Sequence, residues 1–336
     1  MSVFTEIWSI LSTAFSTTEF YTMIIESTAP ILLAALGCAI AAKANATNMG
    51  MEGIMMMSAL VAVLVSSALG GAGVGPWVGL IAAVVVGCIL GFLVSVFAFR
   101  LKIDIILVGI AMNLICTGAS VFLMYSITGD RTTTTSLISG KLPSLSIPLI
   151  KDIPVIGTVL SGRFVLTYLA FILVAVLSFL LFKTKLGLRI RAVGENENAA
   201  ESVGISSLKI KTIALIISGA FGGLGGAFMS QCYLAYFSSG LIAGRGFIGL
   251  AACTMGSANP GIICLCCLAF GIFYAISMFS QSMKLFAISS YALLALPYAI
   301  VLIGVVIYSI YTRNKELERL RGLDSEEKTE QNKAVE

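Results

Sequence analysis

Apolar stretches of membrane-spanning length recur along almost the whole chain, and they restrict its fold more than any other feature. Eight of them can be delimited, at 22–43, 51–69, 76–99, 103–125, 164–182, 212–234, 262–283 and 289–311. About 20 apolar residues in a helix cross the hydrocarbon core of a bilayer, whereas a membrane β-barrel shows shorter segments of alternating polarity. With 58% hydrophobic and 11% charged residues, the chain could not bury its apolar side chains in a soluble core. The sequence therefore predicts an all-α polytopic membrane protein.

A ninth apolar piece, at 247–255, is too short to cross a bilayer alone. Gly244 and Gly246 precede it, and Gly256 and Pro260 follow it. Two arrangements remain open: the piece crosses with the help of its neighbours, or it dips into the membrane and returns. We therefore expect about 8–10 transmembrane helices, some of them interrupted or re-entrant.

Two segments in different halves of the chain echo one another. The first is NMGMEGIMMMSALV at 48–61, and the second is AGRGFIGLAACTMG at 243–256. Each is short, punctuated by glycine and carries one charge in an apolar setting, Glu52 or Arg245. Paired interrupted segments of this kind point to a central transport path. A two-fold internal repeat explains the echo, although the unequal spacing to the following proline leaves chance similarity open.

Basic residues predict the orientation of the chain. They cluster at Arg100 and Lys102, between 183 and 211, and in the tail from Arg313. Because cytoplasmic loops carry an excess of Lys and Arg, we predict these regions and the C-terminus on the cytoplasmic side. The resulting plan has an interfacial segment at 1–20, a transmembrane domain at 21–312, an external loop at 126–162, a cytoplasmic loop at 184–211 and a cytoplasmic polar tail at 313–336.

Several function classes are excluded by what the sequence lacks. It contains no histidine, which removes His-based zinc sites and Ser-His-Asp catalysis, and no Gly-x4-Gly-Lys-Ser/Thr loop for a nucleotide. The cysteines lie in or beside apolar stretches, where packing is favoured over metal binding. The net charge of +4 is spread over loops, so no nucleic-acid partner is expected. We predict no catalytic residue and no metal site.

The 183–211 segment is a polar island between two apolar stretches. It holds six Lys or Arg and three Glu. Gly194, the acidic residues after it and Gly204 predict a short helix, because acidic side chains favour a first turn and glycine favours the position after a last turn. Two interpretations remain open, a helix that docks into a groove of a soluble partner and a solvated loop.

Five polar residues in or near apolar stretches are candidates for a substrate pathway. They are Asn48, Glu52, Asn113, Arg245 and Asn259. Polar groups inside a membrane are costly and so face a cavity or a neighbouring helix. Asn48 and Glu52, at i and i+4, would share one helical face, and Lys43 could neutralise Glu52.

The polar island and the two echo segments resemble those of a known family. GLRIRAVGENENAAESVGI followed by SGAFGGLGGAF is similar to the cytoplasmic loop of ABC-importer permeases related to the ribose and branched-chain amino-acid permeases. NMGMEGIMM resembles the family's early Asn-x-Gly-x-Glu-Gly element, with Met49 in place of the usual Ile, and GRGFIGLAA with GSANP resembles its late counterpart. VGIAMN and AGRGFIGLAA resemble most closely the nucleoside and simple-sugar branch, and there the second of two paired permeases.

This resemblance, which spans 31–308, implies a function and a set of partners. The chain would be the permease of an ATP-driven importer in the bacterial cytoplasmic membrane, moving a small uncharged polar solute, with a nucleoside preferred over a simple sugar. It would bind no cofactor, because Mg-ATP belongs to a separate ATPase subunit. The other partners would be a second homologous permease or a second copy, an external solute-binding protein and membrane lipid.

The resemblance also implies which residues couple the permease to its ATPase. In the family the island forms the coupling helix. The matching positions are Gly187, Arg189, Arg191, Ala192, Gly194, Glu195, Ala199, Ala200 and Gly204. An alternative function stays open, an ion-coupled secondary transporter that uses Glu26, Glu52 or Asp104 as its ion site.

Overall fold

The structure is a computed structural model that describes residues 17–145, 161–282, 299, 302–306, 308–310 and 313–314. The helices are α1 (Thr18–Lys43), α2 (Met51–Ala68), α3 (Gly75–Ser95), α4 (Ile105–Thr128), α5 (Val165–Lys183), α6 (Lys185–Glu195), α7 (Glu197–Ser202), α8 (Ser207–Ala227), α9 (Arg245–Met255) and α10 (Pro260–Ser282). A π-helical turn extends α3 over Val96–Arg100, and another extends α8 over Phe228–Leu234. Two short strands, β1 (Ser144–Leu145) and β2 (Arg163–Phe164), pair antiparallel.

The predicted class is confirmed. Within the described residues, seven helices are long and apolar enough to cross a membrane, namely α1, α2, α3, α4, α5, α8 and α10. When the π-helical extensions of α3 and α8 are included, their bounds differ from the predicted stretches by at most five residues. The largest difference is at the start of α8, which begins at Ser207 instead of 212. Its first turn carries polar residues, and these do not belong to the apolar stretch that marks a spanning helix in the sequence. The eighth predicted stretch, 289–311, lies largely outside the described residues.

Helix α1 forms the centre of the fold. Residues 27–41 are all buried, so this part of the helix has no face for lipid. A helix that is apolar all round is one that neighbours enclose. The helices α5, α6, α8, α9 and α10 all pack against it. By contrast, α4 buries only a single stripe from Val108 to Met124 and leaves the rest of its surface exposed.

Helices α3 and α8 pack backbone against backbone through glycine. A Cβ atom added to Gly219 would overlap the carbonyl oxygen of Gly87, and one added to Gly87 would overlap that of Gly219. Gly223 meets the backbone of α3 in the same way, 2.5 Å from the carbonyl oxygen of Ala83. Small residues allow such close approach of membrane helices. The glycine series that the sequence shows in α8 therefore has a packing role.

Replacing Gly219 by leucine is expected to force α3 and α8 apart. Overpacking costs about 1–3 kcal/mol in a well-filled interior, and here a backbone atom is in the way. The expected result is a lower apparent Tm of the purified protein in detergent. The matched control is Gly118→Leu on α4, where an added Cβ meets nothing within 4 Å. Equal Tm values for the two variants would contradict the proposed crossing.

Basic residues mark one end of the helix bundle. Lys43 ends α1, Arg100 ends the extension of α3, Lys183 ends α5, and α6 and α7 lie between that point and the start of α8. We call this the basic end. At the opposite end, Thr133 pairs with Ser238, and Arg163 forms an ion pair with Glu26 at 2.9 Å.

The short helix α9 crosses the bundle with the help of the chain before it. Residue 238 lies at the opposite end, and 235–244 run inward from there. Gly249 packs against Ala34 of α1, and α9 then continues to the basic end, where the chain turns into α10. Eleven residues of helix span about 16 Å, roughly half of the hydrocarbon core. The structure thus decides between the two predicted arrangements in favour of an assisted crossing.

Candidate functional site: the polar junction and the helical pair at the basic end

The carboxylate of Glu52 joins the two echo segments. Its Oε1 accepts a hydrogen bond from the N–H of Gly244 at 2.7 Å, and its Oε2 accepts one from the N–H of Gly246 at 2.8 Å. These donors belong to the first turn of α9, where free N–H groups and the helix dipole favour a negative partner. The backbones also meet, since a Cβ on Gly246 would lie 2.7 Å from the Cα of Glu52. We call Glu52, Gly244, Arg245 and Gly246 the polar junction.

Arg245 is the buried cation of the polar junction. It is 5% exposed, and its Nη1 donates to the carbonyl oxygen of Ile242 at 3.0 Å. Its guanidinium lies 4.4 Å from the ring centre of Tyr274, within the range of a cation–π contact. Its Nε has no hydrogen-bond partner among the described residues. Arg245 therefore holds α10 and the segment before α9 together and keeps one free donor.

Asn48 and Asn113 bond the start of α2 to its neighbours. The Nδ2 of Asn48 donates to Ser218 Oγ at 3.0 Å, and its Oδ1 accepts from the N–H of Gly50. The Oδ1 of Asn113 accepts from the N–H of Gly53 at 2.8 Å, and its Nδ2 donates to the carbonyl oxygen of Met49. These bonds give both residues a helix-bonding role. Their role in a substrate pathway stays a prediction.

Two expectations about Glu52 are wrong. Asn48 does not share its helical face, because α2 begins at Met51 and Asn48 lies in the buried turn before it. Lys43 does not neutralise it, since Glu52 bonds to the backbone of α9 and Lys43 forms no ion pair within the described part of the chain. Sequence reasoning missed Gly244 and Ser218 as partners. The first could have been found from the Gly-rich echo.

Asn259 lies apart from the polar junction. It follows the end of α9 at the basic end, and its Oδ1 accepts from the N–H of Gly261 at 3.2 Å in the first turn of α10. The structure thus brings Asn48, Glu52, Asn113 and Arg245 to the beginnings of α2 and α9 but places Asn259 about one short helix away.

Helix α6 is fixed to the basic end by one buried stripe. Gly187, Ile190 and Val193 are buried, at the spacing of one helical face. Gly194 touches the end of α1, because an added Cβ would overlap the carbonyl oxygen of Lys43. Gly187 approaches the last turn of α5 equally closely, at Leu180 and Leu181. A force on α6 is therefore transmitted to α1 and α5.

Helix α7 is fixed to the start of α8. Asn196 caps its N-terminus by accepting from the N–H of Ala199 at 3.0 Å. Lys211 Nζ donates to Glu197 Oε2 at 2.6 Å, and this bond lowers the pKa of the Glu197 carboxyl. Ser207 Oγ donates a short hydrogen bond to Glu201. Gly204 follows the helix with φ +83°, which confirms its predicted position after the last turn.

Two details of the predicted island helix are wrong. Gly194 and Glu195 end α6 rather than begin the next helix, because the extended Asn196 separates α6 from α7. Ala199 and Ala200 do not share an outward face, since Ala199 is exposed and Ala200 is 4% exposed against the protein itself. The island is thus a pair of helices in contact with the bundle rather than an irregular loop, and its docking to a soluble partner stays a prediction.

The outward face of the α6–α7 pair combines charge with exposed apolar side chains. Arg189 and Glu195 are exposed, and so are Leu188 and Val203, the latter at 74%. Arg191 is half-buried, with its guanidinium 5.4 Å from the ring centre of Phe182, and the neighbouring Ala192 is also half-buried. Apolar side chains exposed beside charges at a polar end are typical of a surface that a partner covers.

The fold and these two sites define a class of protein, a multispanning membrane transport subunit with interrupted helices at its centre. A discontinuous helix that starts in mid-membrane is typical of transporters. The chain belongs to the family described as "Branched-chain amino acid transport system / permease component", whose model matches residues 20–311. Members are permease components, so the prediction of a transport subunit rather than an ATPase is confirmed.

Similar proteins confirm the predicted branch of the family. The guanosine ABC transporter permease protein NupQ of Bacillus subtilis is 34% identical over 282 residues, covering 82% of this chain and 88% of the relative. The nucleoside ABC transporter permease protein NupC of Lactococcus lactis is 33% identical over 259 residues, covering 76% and 80%. The putative glucose ABC transporter permease protein TsgC13 of Haloferax volcanii is 28% identical over 270 residues, covering 78% and 77%.

Proposed function

We propose that this chain is the permease of an ATP-driven importer for nucleosides, with simple sugars as the next candidates. NupQ and NupC, which are named for guanosine and nucleosides, are 34% and 33% identical to this chain, and TsgC13, which is named for glucose, is 28% identical. The observation that carries the proposal is the α6–α7 pair, which joins an outward, partner-like surface to three spanning helices. It supplies a mechanical link to an external ATPase.

The proposed path of the solute passes the polar junction. Here α2 and α9 begin in the middle of the bundle, and the side chains of Asn48, Asn113 and Glu52 accept hydrogen bonds from two backbone N–H groups at the start of each helix. Arg245 offers an unused Nε donor in this region. A hydrogen-bond donor beside an aromatic ring, here Tyr274, suits a polar and uncharged solute.

The proposed orientation places the basic end in the cytoplasm of a bacterial cell, with the ATPase seated on α6 and α7. The positive-inside rule supports this assignment. Ser257 Oγ lies 2.6 Å from Tyr308 Oη, so the chain returns to the basic end close to its C-terminal tail. A second permease or a second copy would cover part of the exposed apolar surface of α4, and a solute-binding protein would dock at the opposite end.

The ion-coupled alternative lacks support in both the family and the geometry. Each carboxylate that it needs already has a partner within the chain. Glu26 pairs with Arg163, Asp104 caps α4 by accepting from the N–H of Ile106, and both oxygens of Glu52 accept from α9. Of these three residues only Glu52 lies in the middle of the bundle, and neither of its oxygens is free to bind an ion.

The test is uptake of labelled guanosine by proteoliposomes that contain the chain with its ATPase, second permease and solute-binding protein. We expect uptake that requires ATP, that survives collapse of ion gradients, and that excess nucleoside inhibits more strongly than excess sugar. Uptake by the chain alone, driven by an ion gradient, would overturn the proposal.

A variant tests the docking surface separately. Val203→Glu introduces a charge on the exposed face beside α7 and is expected to weaken ATPase binding about tenfold or more, the equivalent of ~1.4 kcal/mol. The matched control is Ile138→Glu at the opposite end, where the side chain is similarly exposed at 77%. Co-purification of the ATPase with each variant provides the measurement, and equal recovery would contradict the assigned surface.

A further inference from the structure

A cleft at the basic end has the layered chemistry of a phospholipid. It measures about 260 Å³ and lies between the end of α3 and the start of α8. Its rim carries two exposed cations, Arg100 and Lys209. Its walls are apolar and include Phe92, Val96 and Ile213.

The polar atoms in the floor of the cleft are already satisfied. Ser95 Oγ and Thr212 Oγ1 are 2.6 Å apart and bond to each other across the two helices. Because these hydroxyl groups already have a hydrogen-bond partner, they do not require water in the cleft, and the floor suits an apolar occupant.

The two cations on the rim lack an acidic partner within the described residues, where the ion pairs are Arg163–Glu26 and Lys211–Glu197. Acidic groups near the cleft are engaged elsewhere. Asp104 caps α4 through the N–H groups of Ile106 and Leu107, and Glu201 accepts from Ser207. The rim thus offers two positive charges to an anion from outside the chain.

The direction of the cleft favours a lipid over a soluble partner. Phe92 precedes Arg100 by eight residues on the α3 span, and Ile213 follows Lys209 by four residues on the α8 span. At about 1.5 Å per residue, the apolar wall reaches roughly 12 Å from the cations into the part of the bundle that the membrane surrounds. A soluble subunit could reach the rim but not this depth.

We infer that the cleft binds an anionic phospholipid, with its phosphate between Arg100 and Lys209 and an acyl chain along Phe92, Val96 and Ile213. Basic pockets between helices at a membrane surface recognise anionic head groups. The site adjoins the outward face of α6 and α7, because Lys209 and Ile213 also line a neighbouring cleft with Arg189 and Val203. Its occupant is a component of the bilayer rather than of the transporter. It ties the α3–α8 pair to the lipid composition of that leaflet.

The test is native mass spectrometry of the full chain in detergent, titrated with phosphatidylglycerol, phosphatidylcholine or inorganic phosphate. We expect phosphatidylglycerol to bind more tightly than phosphatidylcholine, and inorganic phosphate not to compete at millimolar concentration. Arg100→Gln and Lys209→Gln should each weaken phosphatidylglycerol binding about fivefold, and together about 25-fold. Lys141→Gln, an exposed lysine in the loop at the opposite end, should leave binding unchanged.

A second variant addresses the acyl chain. Val96→Trp fills the apolar wall and keeps both cations, so it should weaken binding of phosphatidylglycerol without altering the circular dichroism of the protein. The inference is overturned if the double Gln variant binds like the wild type, if phosphatidylcholine binds equally well, or if free phosphate displaces the lipid. It is also overturned if the Gln variants lose the ATPase subunit while lipid binding is unchanged.

Discussion

Replacing Glu52 by alanine is expected to destabilise the protein by about 2–6 kcal/mol and to abolish solute uptake. The change leaves the N–H groups of Gly244 and Gly246 without their acceptor, and each buried, unpaired N–H costs about 1–3 kcal/mol. It also removes a negative charge that interacts with Arg245. The start of α9 would then separate from α2, and the polar junction would lose its geometry. The measurements are the apparent Tm in detergent and uptake by proteoliposomes.

Two further variants separate the role of Glu52 from a general effect of lost charge. Glu52→Gln retains one carbonyl acceptor and should fall between the wild type and the alanine variant. Glu26→Gln removes a carboxylate from the partly exposed ion pair with Arg163, which is worth about 1 kcal/mol or less. If Glu26→Gln lowers the Tm as much as Glu52→Gln does, the hydrogen bonds from Glu52 to the start of α9 contribute no more to stability than a partly exposed ion pair.

Replacing Gly194 by alanine is expected to uncouple the permease from its ATPase. Alanine favours a helix over glycine by about 1 kcal/mol, so α6 alone would gain stability. The new Cβ, however, would overlap the carbonyl oxygen of Lys43 and push α6 away from the end of α1. We expect solute-stimulated ATPase activity to fall about tenfold or more while the ATPase still binds, the equivalent of ~1.4 kcal/mol.

The control for this variant is Gly118→Ala on α4, where an added Cβ meets nothing within 4 Å. It should retain most of the stimulated activity. Full activity of Gly194→Ala would show that the contact between α6 and α1 does not transmit motion of the ATPase to the spanning helices.

The spanning helices could be predicted because their signal is the length of an apolar stretch, which needs no knowledge of neighbours. The bounds of α1 and α2 follow from Lys43 and from the glycine before Met51. The start of α8 could not be predicted, since Ser207, Lys209 and Lys211 look like a loop. Lys211 lies in a helix because Glu197 and the ring of Phe99 compensate its charge, and those partners are distant in sequence.

The polar junction also combines features that the sequence predicts with features that depend on residues distant in sequence. The charges in the two echo segments, Glu52 and Arg245, predict buried partners, because a charge in an apolar stretch requires one, and the structure shows a partner for each. The partner itself could not be identified, since Glu52 bonds to backbone N–H groups, which every residue carries, rather than to Lys43. The outward pattern of α7 was also beyond sequence reasoning, because Ala199 and Ala200 have the same chemistry and only packing distinguishes them.

The long sequence separation between Glu52 and its hydrogen-bond donors, Gly244 and Gly246, has a consequence for biogenesis. Its acceptor and donors are separated by 192 and 194 residues. Since the ribosome delivers the N-terminal half first, the Glu52 carboxylate is already embedded when the donors enter the bilayer. There an unpaired N–H group cannot form a hydrogen bond with water. A C-terminal half made alone would lack that acceptor, so splitting the gene between the halves should give a stable protein only when both fragments are co-expressed.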